Sequence, residues 1–173
     1  MSIHGQQIYL RLLTPHDVNS DYVAWMNDNE ITQYLEARWS IHTETTIRTF
    51  VQDICDSSND YLFGIFLKNT DQHIGNIKIG NINQRHRYGD VGLIIGDRAS
   101  WGKGIASEAI SLVTRYGFEE LNLHKLFAGM YEQNVGSYKA FIKAGYQDAG
   151  RYKAHFFYQG HYVDALWVEK CRP

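Results

Sequence analysis

A glycine-rich turn carries the strongest chemical signal in this sequence. Trp101-Gly102-Lys103-Gly104-Ile105-Ala106 follows a predicted strand and precedes the longest predicted helix. The first N–H groups of a helix lack backbone partners and carry partial positive charge, so they bind phosphate where side chains leave room. Glycine and alanine leave that room, and Lys103 adds a positive charge. The turn therefore predicts a phosphate site, and a tight strand-to-helix turn is the alternative.

The spacing of the glycines disfavours two common nucleotide-binding motifs. A third glycine at the dinucleotide-binding spacing is missing, and no Lys-Ser/Thr pair follows as in a P-loop. Hydride transfer with a nicotinamide and nucleotide hydrolysis are therefore weaker interpretations than binding of another phosphate-bearing cofactor.

Two segments resemble the GNAT superfamily of N-acetyltransferases. The turn at residues 101–106 is similar to the family motif Gln/Arg-x-x-Gly-x-Gly/Ala, with Trp101 replacing the polar first residue, as in the RimJ/RimL-like branch. The second segment is similar to the family pattern Asn-x-x-Ser followed by Lys-x-Gly-Phe/Tyr. Its residues here are Asn134, Ser137, Lys143, Gly145 and Tyr146.

The resemblance implies acetyl-coenzyme A as cosubstrate. Backbone groups of Leu93, Ile94 and Ile95 are then expected to pair with the pantetheine arm where two neighbouring strands separate. The pyrophosphate is expected at Trp101, Gly102, Lys103, Gly104, Ile105 and Ala106. The other residues expected to contact the cofactor are Asn134, Ser137 and Lys143.

The resemblance also indicates candidate catalytic groups. Many relatives donate a proton to the departing thiolate from a tyrosine, but this sequence has Phe141 at that position. Ser137 is the candidate donor, with a helix cap or a cofactor hydrogen bond as its alternative role. Asp90 is the first candidate base, with a solvated turn residue as its alternative. Glu36 is the second candidate base.

The resemblance also implies that the acceptor contacts the helix-loop region near residues 25–39, which covers the acceptor pocket in relatives. The candidate residues there are Trp25, Glu30, Tyr34, Glu36 and Arg38. Aromatic faces stack on sugar or base rings, and an arginine can bind phosphate or carboxylate, although Trp25 and Tyr34 also suit a helix core. Similar stretches occur in acetyltransferases of bacterial surface-sugar pathways, so a nucleotide-linked amino sugar is the preferred acceptor.

Other functions stay open at this point. A protein N-terminus, such as that of a ribosomal protein, is the second acceptor, and a polyamine is the third. A non-catalytic acyl-coenzyme A-binding module is the alternative outside enzymes, and Phe141 supports it.

Hydrophobic periodicity predicts the elements that position these residues. Alternating segments predict strands at Gln7–Leu13, Tyr61–Lys68, His73–Ile82, Asp90–Gly96, His124–Tyr131, Tyr146–Tyr152 and Tyr162–Lys170. Helical spacing predicts helices at Pro15–Asn27, Thr43–Asp56, Lys103–Leu121 and Val135–Ala144. The pattern is typical of an α/β layer domain. With the resemblance, it predicts one GNAT domain over residues 1–173, with a mixed, mostly antiparallel sheet of about seven strands and about four flanking helices.

Composition limits the partners. The 17 Lys and Arg residues against 19 Asp and Glu give a net charge of −2, so a nucleic-acid partner is not expected. No long apolar run suggests a membrane span, and Cys55 and Cys171 are expected to be free thiols in the cytoplasm. The histidines fit no standard metal-site spacing, so no metal is expected. The chain is expected to be a monomer or a homodimer.

Overall fold

The computed structural model describes residues 2–173. The strands are β1 (Ser2–His4), β2 (Ile8–Leu12), β3 (Tyr61–Leu67), β4 (His73–Asn83), β5 (Tyr88–Ile95), β6 (Lys125–Tyr131), β7 (Gln147–Tyr158) and β8 (His161–Cys171). The α-helices are α1 (Ser20–Met26), α2 (Asn29–Thr32), α3 (Glu44–Asp56), α4 (Ile105–Glu119) and α5 (Val135–Lys143). Short 3-10 turns lie at Pro15–Asp17, Glu36–Trp39 and Arg98–Ser100.

The strands form one sheet in the order β1-β2-β3-β4-β5-β6-β8-β7. Every neighbouring pair is antiparallel except β5 and β6, which are parallel. The parallel pair requires a crossover, and α4 supplies it. The predicted mixed, mostly antiparallel α/β fold is therefore confirmed, with eight strands and five α-helices across residues 2–173.

Helices cover the sheet on both faces. The inner face carries Ile79 of β4, Val91 of β5 and Leu126 of β6, which pack with α4 and α5 in the larger core cluster. The outer face carries Leu62 and Phe66 of β3, which pack with α1 and α3 in a second cluster. Side chains alternate along a strand. Within β5 and within β6, each residue next to an inner-face residue therefore points to the outer face.

Strand β1 and helix α2 were not predicted, and two of the predicted elements have clearly different bounds in the structure. The helix expected at Pro15–Asn27 is a 3-10 turn followed by α1, because Val18 is extended and the Asn19 side chain accepts a hydrogen bond from the Tyr22 N–H as an N-cap. The strand expected at Tyr146–Tyr152 continues to Tyr158 as β7. Its residues are mostly exposed at the sheet edge, so apolar alternation does not mark its length.

The N-termini of α3 and α4 lie close to the positions predicted from the sequence. The side chain of Thr43 accepts a hydrogen bond from Thr46 N at the start of α3, and α4 begins directly after Gly104. Within residues 2–173, no helix is both long and apolar enough to cross a membrane. Cys55 and Cys171 are exposed free thiols.

Candidate active site

The parallel strands β5 and β6 separate part of the way along their length. They pair at Tyr88–Lys125, Gly89–Leu126 and Asp90–Phe127, and the pairing within the described chain ends there. Strand β5 continues to Ile95 on the other edge against β4, and β6 continues to Tyr131 against β8. The facing edges beyond Asp90 therefore present backbone groups that can pair with an extended ligand.

The glycine-rich turn lies at the end of β5. Gly102 and Gly104 have φ of +72° and +81°, a region that favours glycine. Gly104 is the N-cap of α4 and has no side chain to satisfy the first N–H groups of that helix. A Cβ built on Gly104 would lie 3.7 Å from Lys143 Nζ. The turn therefore combines free helix N–H groups with a nearby ammonium group, as a phosphate site requires.

The separated strands and the turn enclose one cavity of about 330 Å³. Its wall contains most of the residues expected at the cofactor and two expected at the acceptor: Leu93, Ile94, Ile95, Trp101, Gly102, Ala106, Asn134, Ser137, Glu30 and Tyr34. Lys103, Gly104 and Lys143 instead line a neighbouring cleft at the outside of the turn. The Ile105 side chain is 3% exposed and belongs to the inner-face core, so only its backbone is placed to contact a ligand.

Trp101 closes one side of this cavity through a specific hydrogen bond. Its Nε1 donates to the carbonyl oxygen of Ile95 at 2.9 Å, while 41% of the residue stays exposed. The indole therefore ties the turn to the last residue of β5. A shorter polar side chain at position 101 would not reach the Ile95 carbonyl oxygen and would leave the turn and β5 unconnected.

The start of α5 separates the roles of Asn134 and Ser137. Asn134 Oδ1 accepts the Ser137 N–H at 3.2 Å, so Asn134 caps the helix. The Ser137 hydroxyl has no hydrogen-bond partner among residues 2–173, and it faces the cavity with Gly136. Ser137 is thus not the cap of α5, and its hydroxyl is available to a ligand.

Asp90 lies inside β5 rather than in the turn that precedes it. Its Oδ2 accepts a hydrogen bond from Asn81 Nδ2 at 3.1 Å. Its Oδ1 is buried and has no partner in the described part of the chain. Since Val91 packs in the inner-face core, Asp90 points to the outer face, beside the last paired residue of β6. A buried carboxylate oxygen without a partner is costly unless water or a ligand supplies a donor.

The segment at residues 28–39 borders the cavity on the side where the sequence predicts the acceptor. The Tyr131 hydroxyl, at the end of β6, donates to Glu36 Oε1 at 2.6 Å. Burial and this hydrogen bond raise the pKa of Tyr131, so its hydroxyl is protonated at neutral pH. At the other end, Arg98 pairs with Asp28 at 2.6 Å and with Glu30 at 2.7 Å. The segment is therefore held at both ends.

Arg38 is held beside the cavity by backbone carbonyl groups and forms no ion pair within residues 2–173. Its guanidinium donates to the carbonyl oxygens of Gln33 at 2.5 Å and Phe157 at 3.1 Å. It also lies over the Tyr131 ring at 4.9 Å. Arg38 therefore joins residues 28–39 to the β7–β8 hairpin, and its role as an anion clamp stays a prediction.

Trp25 differs from the predicted acceptor role. It is 8% exposed in the outer-face core, and its ring lies where a Cβ of Gly96 would be. Two of the five acceptor candidates, Tyr34 and Glu30, line the cavity, and Glu36 and Arg38 lie next to it. Trp25 packs against the end of β5 in the outer-face core.

Several residues of the site were not predicted. Tyr131 is the main one, since it orients Glu36 and its ring stacks on Phe156 at 4.0 Å. An aromatic residue at the end of a strand, three positions before Asn134, was the available signal. The remaining unpredicted wall residues are Ile31, Gln33, Leu35, Ser100 and Gly136. Residues 2–173 contain no cluster of three or more metal-ligating side chains.

Comparisons with known proteins agree with this fold. A model of the acetyltransferase (GNAT) domain matches residues 7–147. The uncharacterized N-acetyltransferase YoaA of Bacillus subtilis (strain 168) is 31% identical, over 99% of this chain and 97% of that protein. Two solved structures share the fold. The RimL ribosomal L7/L12 alpha-N-protein acetyltransferase in complex with coenzyme A has a TM-score of 0.88 at 16% identity, covering 99% of this chain and 98% of that one. The Vibrio cholerae spermidine N-acetyltransferase in complex with coenzyme A and spermine has a TM-score of 0.86 at 23% identity, covering 96% of each chain.

Proposed function

Because this chain belongs to the GNAT acetyltransferase family, we propose that its cavity transfers the acetyl group of acetyl-coenzyme A to an amine. The observation that carries the proposal is the separation of β5 and β6 directly beside a glycine turn at a helix N-terminus. An extended pantetheine arm can pair with Leu93, Ile94 and Ile95, and the pyrophosphate can accept the free N–H groups at the start of α4. Lys143 supplies a countercharge near Gly104.

The reaction forms an amide and releases a thiol, so one proton leaves the amine and one reaches the sulfur. An aliphatic amine with a pKa of about 10 is mostly protonated at neutral pH, so it needs a base. Asp90 is the proposed base, acting through water, because its Oδ1 has no protein partner. Ser137 is the proposed donor to the sulfur, because its hydroxyl faces the cavity and does not cap α5. Phe141 is 1% exposed in the core and cannot take that role.

The proposed acceptor remains an amino group on a nucleotide-linked sugar. Its support is the outer face next to Asp90, where Gly92 has open space: a Cβ built there would meet no atom within 4 Å. A polycation such as spermine would need several free carboxylates, and of the two glutamates in the segment at residues 28–39, Glu30 is paired with Arg98. Acetylation of a protein N-terminus is the second candidate and acetylation of a polyamine is the third; the RimL enzyme and the spermidine N-acetyltransferase both share this fold, so the fold does not separate them.

Release of free thiol from acetyl-coenzyme A tests this function. The panel contains nucleotide-linked amino sugars, N-terminal peptides, polyamines and aminoglycosides, and each is run with the wild type and with Asp90→Asn. We expect turnover with an amino-sugar nucleotide and about a hundredfold loss in Asp90→Asn, since a positioned base contributes about 10²–10⁴-fold. The control is Asp53→Asn, an exposed position on α3.

The outcomes separate the alternatives. Faster turnover of an N-terminal peptide or a polyamine than of every sugar nucleotide would overturn the proposed acceptor and keep the chemistry. Binding of acetyl-coenzyme A without thiol release on any amine would instead indicate a non-catalytic binding module.

A further inference from the structure

A row of four aromatic rings crosses the outer face of the sheet. Neighbouring strands β5, β6, β8 and β7 each contribute one ring: Tyr88, Phe127, Trp167 and Tyr152. Successive ring centroids are 5.9, 5.9 and 5.5 Å apart. The rings line a groove of about 430 Å³ that is separate from the cofactor cavity. Tyr152 is 55% exposed, so the row is open to solvent.

Trp167 gives this groove an unmet polar requirement. Its Nε1 is buried and has no hydrogen-bond partner within residues 2–173. A buried donor is normally paired, and an indole that only packed against Phe127 would leave the donor without compensation. A flat ring with a carbonyl acceptor would stack on the ring faces, and it would satisfy this N–H group if the Trp167 indole turns to expose it.

A turn with two arginines adjoins one end of the groove. The turn between β4 and β5 carries Arg85, His86 and Arg87, and the His86 ring lies parallel to that of Tyr88 at 6.2 Å. Neither arginine forms an ion pair in the described chain. Lys125 lines the groove, paired with Glu169. Aromatic faces next to free guanidinium groups suit a base that is linked to phosphate.

The groove also leads to the reaction site. Asp90 and Gly92 follow Tyr88 on the same face of β5, and a Cβ on Gly92 would meet no neighbouring atom. Tyr88 and Leu93 are five residues apart, roughly 17 Å along the strand. That length is comparable with an extended nucleoside diphosphate sugar, with its base on the ring row and its sugar beside the separated strands.

We propose that the ring row Tyr88, Phe127, Trp167 and Tyr152 binds the base of a nucleoside diphosphate, with Trp167 Nε1 donating to a ring carbonyl and Arg85 or Arg87 contacting phosphate. The inference rests on the proposed function, because the sugar amine has to reach the separated strands. It adds residues that decide which acceptor is bound.

Titration of the tryptophan indole resonances by NMR tests the proposal without any turnover. Uridine 5′-diphosphate, thymidine 5′-diphosphate and guanosine 5′-diphosphate are added to the ¹⁵N-labelled protein, and the Trp167 signal is assigned by its loss in Trp167→Phe. We expect one of the three to shift the Trp167 indole signal, while the Trp101 signal, whose N–H group is already bonded to Ile95, changes little. Tyr152→Ala should weaken the binding about tenfold, since one base–aromatic stack is lost.

The matched control is Tyr162→Ala, which removes a tyrosine that is 67% exposed outside the row. All variants should bind acetyl-coenzyme A like the wild type. No shift of the Trp167 signal with any of the three nucleotides at millimolar concentration would overturn the proposal. A Trp167 signal that instead changes with protein concentration, together with a dimer in sedimentation, would assign the groove to an interface between two copies.

These results are separable from the proposed function. If the protein releases thiol with a simple amine but binds no nucleotide, the acetyltransferase activity is supported and the nucleotide site in the groove is rejected. Nucleotide binding without thiol release would support the groove and reject the activity.

Discussion

The Tyr131 hydroxyl donates a 2.6 Å hydrogen bond to Glu36 Oε1, which joins the end of β6 to the segment at residues 28–39 that borders the cavity. The two ends of this bond are unequal. Tyr131 is 3% exposed, whereas Glu36 lies at the surface. Loss of the glutamate therefore leaves a buried donor without a partner, but loss of the hydroxyl leaves a carboxylate that water can solvate.

This asymmetry predicts that Glu36→Ala destabilises the protein more than Tyr131→Phe does. The alanine variant should lose about 1–3 kcal/mol, the usual cost of an unpaired buried polar group, and Tyr131→Phe about 1 kcal/mol or less. The double variant should be more stable than Glu36→Ala alone. Urea denaturation of the four proteins measures these differences. Equal, additive losses would mean that water reaches the Tyr131 hydroxyl.

The Gly104 turn predicts a specific loss of cofactor affinity in Gly104→Glu. Any side chain at φ of +81° is strained, so Gly104→Ala should cost about 1 kcal/mol of stability. The glutamate adds the same strain and a negative charge where phosphate is expected, which should weaken acetyl-coenzyme A about a hundredfold or more. Calorimetric titration of both variants separates strain from charge. If both variants bind acetyl-coenzyme A with equal affinity, the phosphate does not bind at this turn.

The glycine turn was predictable from the sequence because it depends on local backbone geometry. Gly102 and Gly104 adopt positive φ, and α4 starts directly after them, so the motif itself specifies the turn at which we propose that phosphate binds. The strands around it follow from apolar alternation, which burial on the inner face imposes.

The acceptor side was less predictable because its contacts join residues far apart in the chain. Arg38 bonds to Phe157 and Glu36 to Tyr131, and neither pairing leaves a local pattern. Trp25 fits a helix face, but only the tertiary packing shows that this face covers Gly96 rather than a ligand. The sequence shows which side chains are present. Only the long-range packing shows which of them have no protein partner and can contact a ligand.

Ser137→Ala should lower kcat by about ten- to a hundredfold with little change in the Michaelis constants. The hydroxyl has no protein partner, so its removal does not disturb the cap that Asn134 provides to α5. A lost proton donor slows only the chemical step. Steady-state thiol release measures the effect, with Ser58→Ala, in the exposed turn after α3, as the control. If kcat falls only two- or threefold, Ser137 is not the proton donor.

Trp101→Phe should weaken acetyl-coenzyme A several-fold while the fold is kept. Phenylalanine preserves a ring at the cavity wall but cannot donate to the Ile95 carbonyl, so the turn and the end of β5 are no longer tied together. A typical net hydrogen bond contributes about 0.5–1.5 kcal/mol, or roughly two- to twelvefold in affinity if the tie orders the site. Trp39→Phe, which alters a 66% exposed indole that does not line the cavity, is the control for calorimetry. Unchanged affinity in both would make the bond irrelevant to the cofactor.

His73 should make the folded protein less stable as the pH falls below neutrality. Burial lowers its pKa from 6.5, against the opposing effect of hydrogen bonds to Asn76 and Gly75, and its ring stacks on Phe66. The unfolded chain then binds a proton at His73 before the folded chain does. Stability therefore rises with pH in this window and is lost as the pH drops below about 6.5, with a slope of at most about 1.4 kcal/mol per pH unit from one proton. Asp17 and Arg11 are the charged groups that act on this ring, with opposite effects.

His73→Gln isolates that contribution, because its side-chain amide can replace the Nε2–H donor and carries no titratable group in this range. We expect the unfolding free energy of the variant, from urea denaturation at pH 7.5, 6.5, 5.5 and 5.0, to change less with pH than that of the wild type. Variant and wild type should diverge most at pH 7.5, where the neutral imidazole is retained at no ionisation cost, and converge toward pH 5.0. Parallel curves would mean that His73 titrates alike in both states, and that burial beside Phe66 does not disfavour its charged form.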